Sequence, residues 1–225
     1  MKRKLMSVLV AAGLLAVNPA ALAQQKISDG VVKIGVLTDM SGTYSDLAGP
    51  GSLLAVEMAV KDFVEKEKPN FKIEIVSADH QNKGDISANK AREWFDRDKV
   101  DVIVDLVTTS TALAVMKVAK EKNKITLVSG AASTPITNEQ CTDTNVHWTY
   151  DTYALAVGTG RAVVEQGGKS WFFLTADYAF GHSLERDTRP SWRRWGARCW
   201  AACAIRSRPR TSPPSCSEPR PPAPR

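Results

Sequence analysis

The sequence predicts an α/β fold built on a doubly wound parallel sheet, and two observations lead to this prediction. Apolar runs of strand length alternate with segments of helical apolar spacing from about residue 31 to residue 174. Loops rich in small and hydroxyl residues follow several of these runs, as is typical where parallel strands end. The 225 residues are 43% hydrophobic and 24% charged, which excludes a wholly disordered or collagen-like chain.

The first lobe is predicted to span residues 24–150 and to contain four strands with three helices between them. The strands are expected at 31–38, 71–77, 100–107 and 124–128. The first two helices are expected at about 51–66 and 85–97, and the third opens in the Thr108–Thr111 cluster.

An irregular stretch over 138–151 is followed by a new cycle, in which a helix is expected at 153–165 and a strand at 170–174. This cycle predicts that a second lobe begins near residue 151 and extends to 188.

The N-terminus is typical of a signal peptide. Lys2, Arg3 and Lys4 precede an apolar run over residues 5–17, and small residues at Ala21 and Ala23 supply a cleavage site. The run is too short to span a bilayer as a stable helix. We therefore expect residues 1–23 to be removed after Ala23 and the mature protein to reach the periplasm.

The composition changes sharply at Arg189. Residues 189–225 hold nine Arg, no Lys, one acid and eight of the 12 Pro, so this segment carries +8 against +6 for the whole chain. No apolar period continues into it, which predicts a disordered Arg/Pro-rich tail. The abrupt loss of Lys indicates a frame-shifted reading of a GC-rich gene. The alternative is a basic tail that binds nucleic acid or a membrane surface, and export argues against nucleic acid.

The loop after the third strand is a candidate anion site. Thr108, Thr109 and Thr111 lie where a strand enters a helix, so their hydroxyls meet the positive end of the helix dipole. A small carboxylate would suit this arrangement. The same residues also fit an ordinary helix cap.

Two other loops could complete a ligand site. The Gly130–Pro135 loop offers close backbone approach and the hydroxyls of Ser133 and Thr134, although a plain turn would use the same residues. Tyr44 follows the first strand, and Tyr178 and Phe180 follow the strand of the second lobe. These aromatic residues could close over an apolar ligand or serve packing alone.

Signals for catalysis or metal binding are weak. The three His lack short metal-ligand spacing, and Asp39, Asp79 and Asp105 are better interpreted as loop-capping carboxylates than as a metal site. Ser183 lies in a segment that begins like a nucleophile elbow but lacks its closing Gly. An exported α/β hydrolase using Ser183 is therefore the alternative function. We expect no enzyme activity, cofactor or metal.

Several segments together resemble one protein family. They are VVKIGVLTDMSGTYSDLAGPG, IEIVSADHQNK, KAREWFD, VDVIVDLVTTST, VSGAAST and WFFLTADYAFGHSLERDT. Over about residues 31–188 the chain resembles the branched-chain amino-acid (leucine-binding) type of periplasmic solute-binding protein of ABC transporters. The resemblance implies the type I binding-protein fold, in which two lobes close like a hinge on a small ligand.

The resemblance also implies which residues bind the ligand. Thr108, Ala131 and Ser133 match positions that hold a ligand carboxylate, and Tyr44 and Phe180 match aromatic positions, with Tyr178 as the alternative to Phe180. It implies a monomeric receptor that delivers an amino acid or related small carboxylate to an inner-membrane ABC permease.

The family pattern continues beyond the segments found here, so the second lobe is expected to be incomplete. From this we expect no tight ligand binding by the 225-residue product, poor solubility and a non-functional receptor.

Overall fold

Five parallel strands form the first sheet of the computed structural model, which describes residues 27–205 and 215–217. The order across the sheet is β2-β1-β3-β4-β5, which is one of the strand orders of doubly wound α/β folds. The strands are β1 (Val31–Thr38), β2 (Lys72–Asp79), β3 (Val102–Asp105), β4 (Ile125–Val128) and β5 (Asn145–His147).

The helices of the described chain connect these strands and lead into a second sheet. They are α1 (Gly49–Glu67), α2 (Gly84–Glu93), α3 (Thr109–Lys122), α4 (Thr152–Glu165) and α5 (Ala179–Arg194). A π-helical turn, Trp94–Asp98, extends α2, and short 3-10 turns cover Ser28–Gly30 and Thr134–Ile136.

The main core lies between the first sheet and the helices α2 and α3. Val115 and Ala119 of α3 are spaced by one helical turn and are fully buried, together with Ile103 of β3 and Leu37 of β1. Trp94, in the π-helical turn, joins the same cluster. The apolar residues whose spacing predicts the helices are therefore among those that fill this core.

The second sheet has the order β6-β7-β8, with β6 (Ser170–Ala176), β7 (Arg198–Ile205) and β8 (Ser215–Ser217). The chain runs from β6 through α5 into the parallel strand β7, and β8 returns antiparallel. The first sheet ends at His147 and the second begins at Ser170.

Most predicted elements of residues 31–176 are confirmed, with differences at their ends. The predicted helix over 85–97 divides into α2 and the π-helical turn, and β3 is half as long as the expected run over 100–107. β5 was not expected, because a strand of three residues carries too little periodicity to be distinguished from a loop.

The prediction of disorder from Arg189 is wrong for residues 189–205. Helix α5 continues through Pro190 to Arg194, and β7 pairs with β6 along its length. Trp192 is buried against Val164 and Ala197, so tertiary packing of aromatic residues supplies the order that a periodic pattern did not indicate.

The proposed signal peptide and residues 206–214 and 218–225 lie outside the described residues. Within the described part of the chain, no helix combines the length and apolar character needed to cross a membrane.

Candidate functional site

The candidate residues of the first lobe lie at the carboxyl edge of its sheet. β2 lies on one side of β1 and β3 lies on the other, so the strand order reverses at β1. The loops that follow β1 and β3 therefore flank a crevice. Thr108 comes after β3 and Ser133 after β4, which are adjacent strands. The fold therefore brings together two loops that are 25 residues apart in sequence.

Four hydroxyl residues, which we call the hydroxyl cluster, join these loops: Thr108, Thr109, Thr111 and Ser133. The Thr109 and Ser133 hydroxyl oxygens are 2.7 Å apart, and those of Thr108 and Thr111 are 3.0 Å apart. Thr108 also donates to the side-chain oxygen of Asn82, at 2.8 Å. All four hydroxyl residues are buried.

Thr108 occupies the N-cap position of α3 but makes no side-chain capping hydrogen bond. The interpretation of Thr108 as an ordinary helix cap is therefore wrong. Its hydroxyl is directed instead to Asn82 and Thr111. The Thr108 carbonyl accepts the Thr111 hydroxyl at 2.8 Å, which fixes the first turn of the helix beside the cluster.

Ala131 lies beside the hydroxyl cluster, but its backbone groups already have partners. Its N–H donates to the Leu106 carbonyl at 3.1 Å, and its carbonyl lies 2.8 Å from Nε2 of His147. A ligand could form hydrogen bonds with these backbone groups only by displacing a contact within the lobe. His147 was not predicted as a contact of this loop, because β5, the strand that carries it, was not expected.

Close approach of the two loops depends on Gly130. A Cβ atom at this position would lie 2.7 Å from the Cα of Val107, in the loop after β3. Real side chains do not tolerate that separation, so glycine is required for the loops to meet.

Three aromatic residues, which we call the aromatic cluster, connect the lobes: Tyr44, Tyr178 and Phe180. The hydroxyl oxygens of Tyr44 and Tyr178 are 2.7 Å apart, and their ring centroids are 6.4 Å apart. The Phe180 ring lies 6.2 Å from that of Tyr178. Burial and the hydrogen bond with Tyr44 raise the pKa of Tyr178, so its phenol stays protonated.

Two carboxylates hold the loop that carries Tyr44. Asp39 accepts from the N–H groups of Gly42 and Tyr44, at 2.9 and 3.0 Å. Asp79, at the end of β2, accepts from the Met40 N–H and the Ser41 hydroxyl, at 3.0 and 2.5 Å. The loop-capping interpretation of both residues is confirmed.

The hydrogen bonds that hold this loop also lower the pKa of Asp79. Burial opposes ionisation, but hydrogen bonds from the Ser41 hydroxyl and from the N–H groups of Gln81 and Met40 outweigh it and lower the pKa. In the described residues no group of three or more His, Cys, Asp or Glu side chains is arranged to hold a metal ion.

A second polar cluster joins the lobes, and the sequence did not indicate it. Asp187 of α5 accepts the hydroxyls of Thr134 and Thr152, at 2.5 and 2.6 Å. Thr152 also lies 3.1 Å from the Ser183 hydroxyl. We call these four residues the interlobe cluster. Residues more than 30 positions apart in sequence give no local pattern that could have revealed it.

Among the residues that the structure describes, Ser183 has no catalytic partner. Its hydroxyl contacts Thr152 and the guanidinium of Arg186, and neither can act as a general base at neutral pH. The adjacent His182 pairs instead with Asp177, at 3.0 Å. The structure therefore gives no support to the hydrolase alternative.

A cavity of about 520 Å³ lies in the second lobe, between β6 and the helices α4 and α5. Its walls are mostly apolar and include Leu155, Phe172 and Trp192. Phe180 also lines it, but the hydroxyl cluster does not. The cavity is therefore separate from the candidate carboxylate site.

Comparison with known proteins identifies the family. The model of the family described as periplasmic binding protein matches residues 31–202, which is well over half of the chain. The chain belongs to the periplasmic binding protein family. A periplasmic binding protein from Burkholderia mallei is 51% identical, with a TM-score of 0.75, over 79% of this chain and 47% of that one.

Two further solved proteins have a similar fold. A branched-chain amino acid ABC transporter periplasmic ligand-binding protein from Burkholderia xenovorans is 35% identical, with a TM-score of 0.66, over 78% of this chain and 47% of its own. A solute-binding protein from Rhodopseudomonas palustris, solved with benzoate, is 22% identical, with a TM-score of 0.69, over 79% and 49%. The chain matches no curated protein sequence. It spans about half the length of these solved relatives.

Proposed function

We propose that this chain supplies the carboxylate-binding lobe of a periplasmic receptor that delivers an amino acid or related small carboxylate to an inner-membrane ABC permease. The signal peptide would direct export and be cleaved after Ala23. The receptor performs no chemistry on its ligand. The observation that carries the proposal is the hydroxyl cluster, which joins the loops after β3 and β4 at the carboxyl edge of the first sheet.

The two clusters suit the two ends of such a ligand. Hydroxyl groups of Thr108, Thr109 and Ser133 can donate to a carboxylate, and the N-terminus of α3 adds a favourable dipole. Tyr44, Tyr178 and Phe180 can contact an apolar or aromatic group. Leucine and benzoate both meet these requirements. They also represent the ligand classes named for the relatives from Burkholderia xenovorans and Rhodopseudomonas palustris.

Binding by this chain is proposed to be weaker than micromolar. A carboxylate would have to replace the contact between Thr109 and Ser133, and the Ala131 N–H already has a partner in Leu106. Each replaced hydrogen bond offsets much of what the new one contributes.

The test is an NMR titration of the ¹⁵N-labelled chain with leucine and, separately, benzoate. We expect saturable shifts of the Thr108, Thr109 and Ser133 amides at millimolar ligand, and their loss in Thr109→Val. Thr137→Val, which removes an exposed hydroxyl outside the cluster, is the matched control. Absence of shifts at these amides would contradict the site, and micromolar affinity by calorimetry would contradict weak binding.

We also propose that residues 189–225 are read in a shifted frame, because the Arg and Pro content changes abruptly at Arg189. Resequencing the gene across the codons for Asp187 to Trp195 tests this. A single inserted or deleted base that restores a long frame is the expected result. An uninterrupted frame, together with tail peptides detected by mass spectrometry, would refute it.

A further inference from the structure

The hydroxyl of Thr108 has one proton, and the structure uses that proton inside the lobe. The hydroxyl donates to Oδ1 of Asn82, at 2.8 Å. The Thr111 hydroxyl, 3.0 Å away, donates its own proton to the Thr108 carbonyl at 2.8 Å. Because a hydroxyl has a single O–H to donate, Thr108 cannot donate to a ligand carboxylate while its bond to Asn82 persists.

The loop after β2 holds Asn82 beside Thr108. The Asn82 N–H donates to Nδ1 of His80, whose side chain is completely buried, at 3.0 Å. The His80 carbonyl accepts the Lys83 N–H at 2.9 Å, which closes the turn. Asn82 has a φ of 52°, in the left-handed region that Asn and Asp adopt more readily than most residues. The backbone of Asn82 is therefore fixed, and only its side-chain amide is left to turn.

The half-buried side chain of Asn82 offers Thr108 two different groups. Its Oδ1 accepts hydrogen bonds, whereas its Nδ2 donates them. Among the described residues, the bond with Thr108 is the only hydrogen bond of the Asn82 side chain. A half-turn of the amide therefore breaks this one bond and replaces it with another, from Nδ2 to the Thr108 hydroxyl oxygen. The Thr108 proton is then available to a ligand.

We propose that Asn82 is a positioning residue of the carboxylate site, and that its amide turns from accepting the Thr108 proton to donating to the Thr108 oxygen when a carboxylate binds. The inference rests on the proposed function, in which Thr108 donates to the ligand. After the turn the hydrogen bonds run in one direction, from Nδ2 to Thr108 and from Thr108 to the carboxylate. Hydrogen bonds in such a chain strengthen one another.

Asn82→Asp removes the donor and keeps the size of the side chain. An ionised Asp tolerates the same backbone conformation but only accepts hydrogen bonds, so it should retain the Thr108 proton. In an NMR titration with benzoate at neutral pH, we expect the affinity to fall about tenfold.

Gln81→Glu is the matched control for charge. It adds the same negative charge on the exposed neighbouring residue, which also has a φ of 52°. We expect the affinity of this variant to change by less than about twofold, because water and salt screen an exposed charge. Far-UV circular dichroism checks that both variants are folded. An Asn82→Asp variant that binds as well as the parent chain, or that loses no more affinity than Gln81→Glu, would overturn the proposal.

Exchange of the Asn82 side-chain amide protons with water provides a second measurement, on the parent chain itself. Saturation with benzoate should slow this exchange several-fold, because Nδ2 then donates to the buried Thr108 hydroxyl. The exposed Asn70, which precedes β2 at the opposite edge of the sheet, should show no change. A residue that only shapes the loop would not gain this protection, so unchanged exchange at Asn82 would refute its role.

Failure of this inference and failure of the proposed function give different results. If the backbone amides of Thr108, Thr109 and Ser133 do not shift with leucine or benzoate, the carboxylate site is wrong, and the role of Asn82 is wrong with it. If they shift while either test of Asn82 gives its contrary result, the carboxylate site stands and only the role of Asn82 is wrong.

Discussion

Leu37 of β1 is completely buried, whereas Leu174, in the comparable strand of the second lobe, is 65% exposed. The two strands begin the same kind of strand-helix-strand unit, but among the described residues β1 has a neighbour on each side and β6 has one. Side chains of a parallel strand are fully buried only when the sheet face on which they lie is covered. Leucines in comparable strands can therefore contribute very different amounts to the free energy of unfolding, because the amount depends on how far each side chain is buried.

Stacked aromatic rings pack against one face of β6 in the second lobe. Trp192 lies 3.9 Å from Trp171 and 4.6 Å from Phe173, measured between ring centroids. Arg189 lies over the Phe173 ring, at 5.1 Å, and pairs with Glu185. Hydrogen bonds from Thr175 and Arg189 lower the pKa of Glu185 against the effect of burial. One face of β6 is thereby well packed.

The largest expected effect removes this packing. Trp192→Ala should destabilise the chain by about 3–5 kcal/mol, because it deletes a buried ring and leaves a cavity. Trp148→Ala, which alters an exposed tryptophan of the first lobe, should change stability by less than about 0.5 kcal/mol. Urea unfolding followed by far-UV circular dichroism measures both. Equal effects would show that the aromatic stack does not hold the second lobe.

The comparison of β1 with β6 can be tested with one residue type. Leu37→Ala should cost about 2–5 kcal/mol, since the side chain is fully buried in the main core. Leu174→Ala should cost about 0.5 kcal/mol or less, since the side chain is mostly exposed. If Leu174→Ala proves as costly as Leu37→Ala, β6 is covered in solution.

The contact between the lobes is expected to have an intermediate effect. Asp187→Asn removes the charge that accepts the Thr134 and Thr152 hydroxyls and should cost about 1.5–3 kcal/mol. Asp62→Asn, on the exposed surface of α1, serves as the control. Hydrogen exchange should show faster exchange in α4 and α5 of Asp187→Asn than in β1. Uniform loss of protection would argue against a local role.

The smallest expected effect is a pH dependence in the first lobe. His80 is completely buried, and burial lowers its pKa below the usual 6.5, although the nearby Asp39, Asp105 and Asp79 act in the opposite direction. The unfolded chain therefore binds a proton more readily than the folded one, and stability should fall as the pH drops below about 6.5.

The measurement is the free energy of unfolding at pH 7.5 and at pH 5.5. His80→Gln should reduce the difference between them. The lowered pKa of Asp79 acts in a separate window, since its contribution is lost only as the pH falls below about 4. A parent chain that is more stable at pH 5.5 would contradict the prediction for His80.

The sequence predicted the first sheet well because its pattern is local. The run over residues 31–38 and the helical spacing of Val115 and Ala119 each follow from which residues the core buries. The end of α5 and all of β7 were not predicted, because Pro190 and the many arginines interrupt the local apolar pattern. Contacts of Trp192 with Trp171 and Phe173 stabilise these elements instead. For the candidate residues, loop positions predicted that Thr108 and Ser133 lie close together, but they did not predict the partners of Ala131.

The sequence by itself determined the α/β class, the loops at the strand ends and the residue types that can hold a carboxylate, because these depend on spacing within about 20 residues. Only the tertiary structure decided how the lobes meet, through Tyr44 with Tyr178 and through Asp187 with Thr134 and Thr152. Contacts between residues more than 30 positions apart depend on the strand order, and the order is fixed by packing of the whole chain.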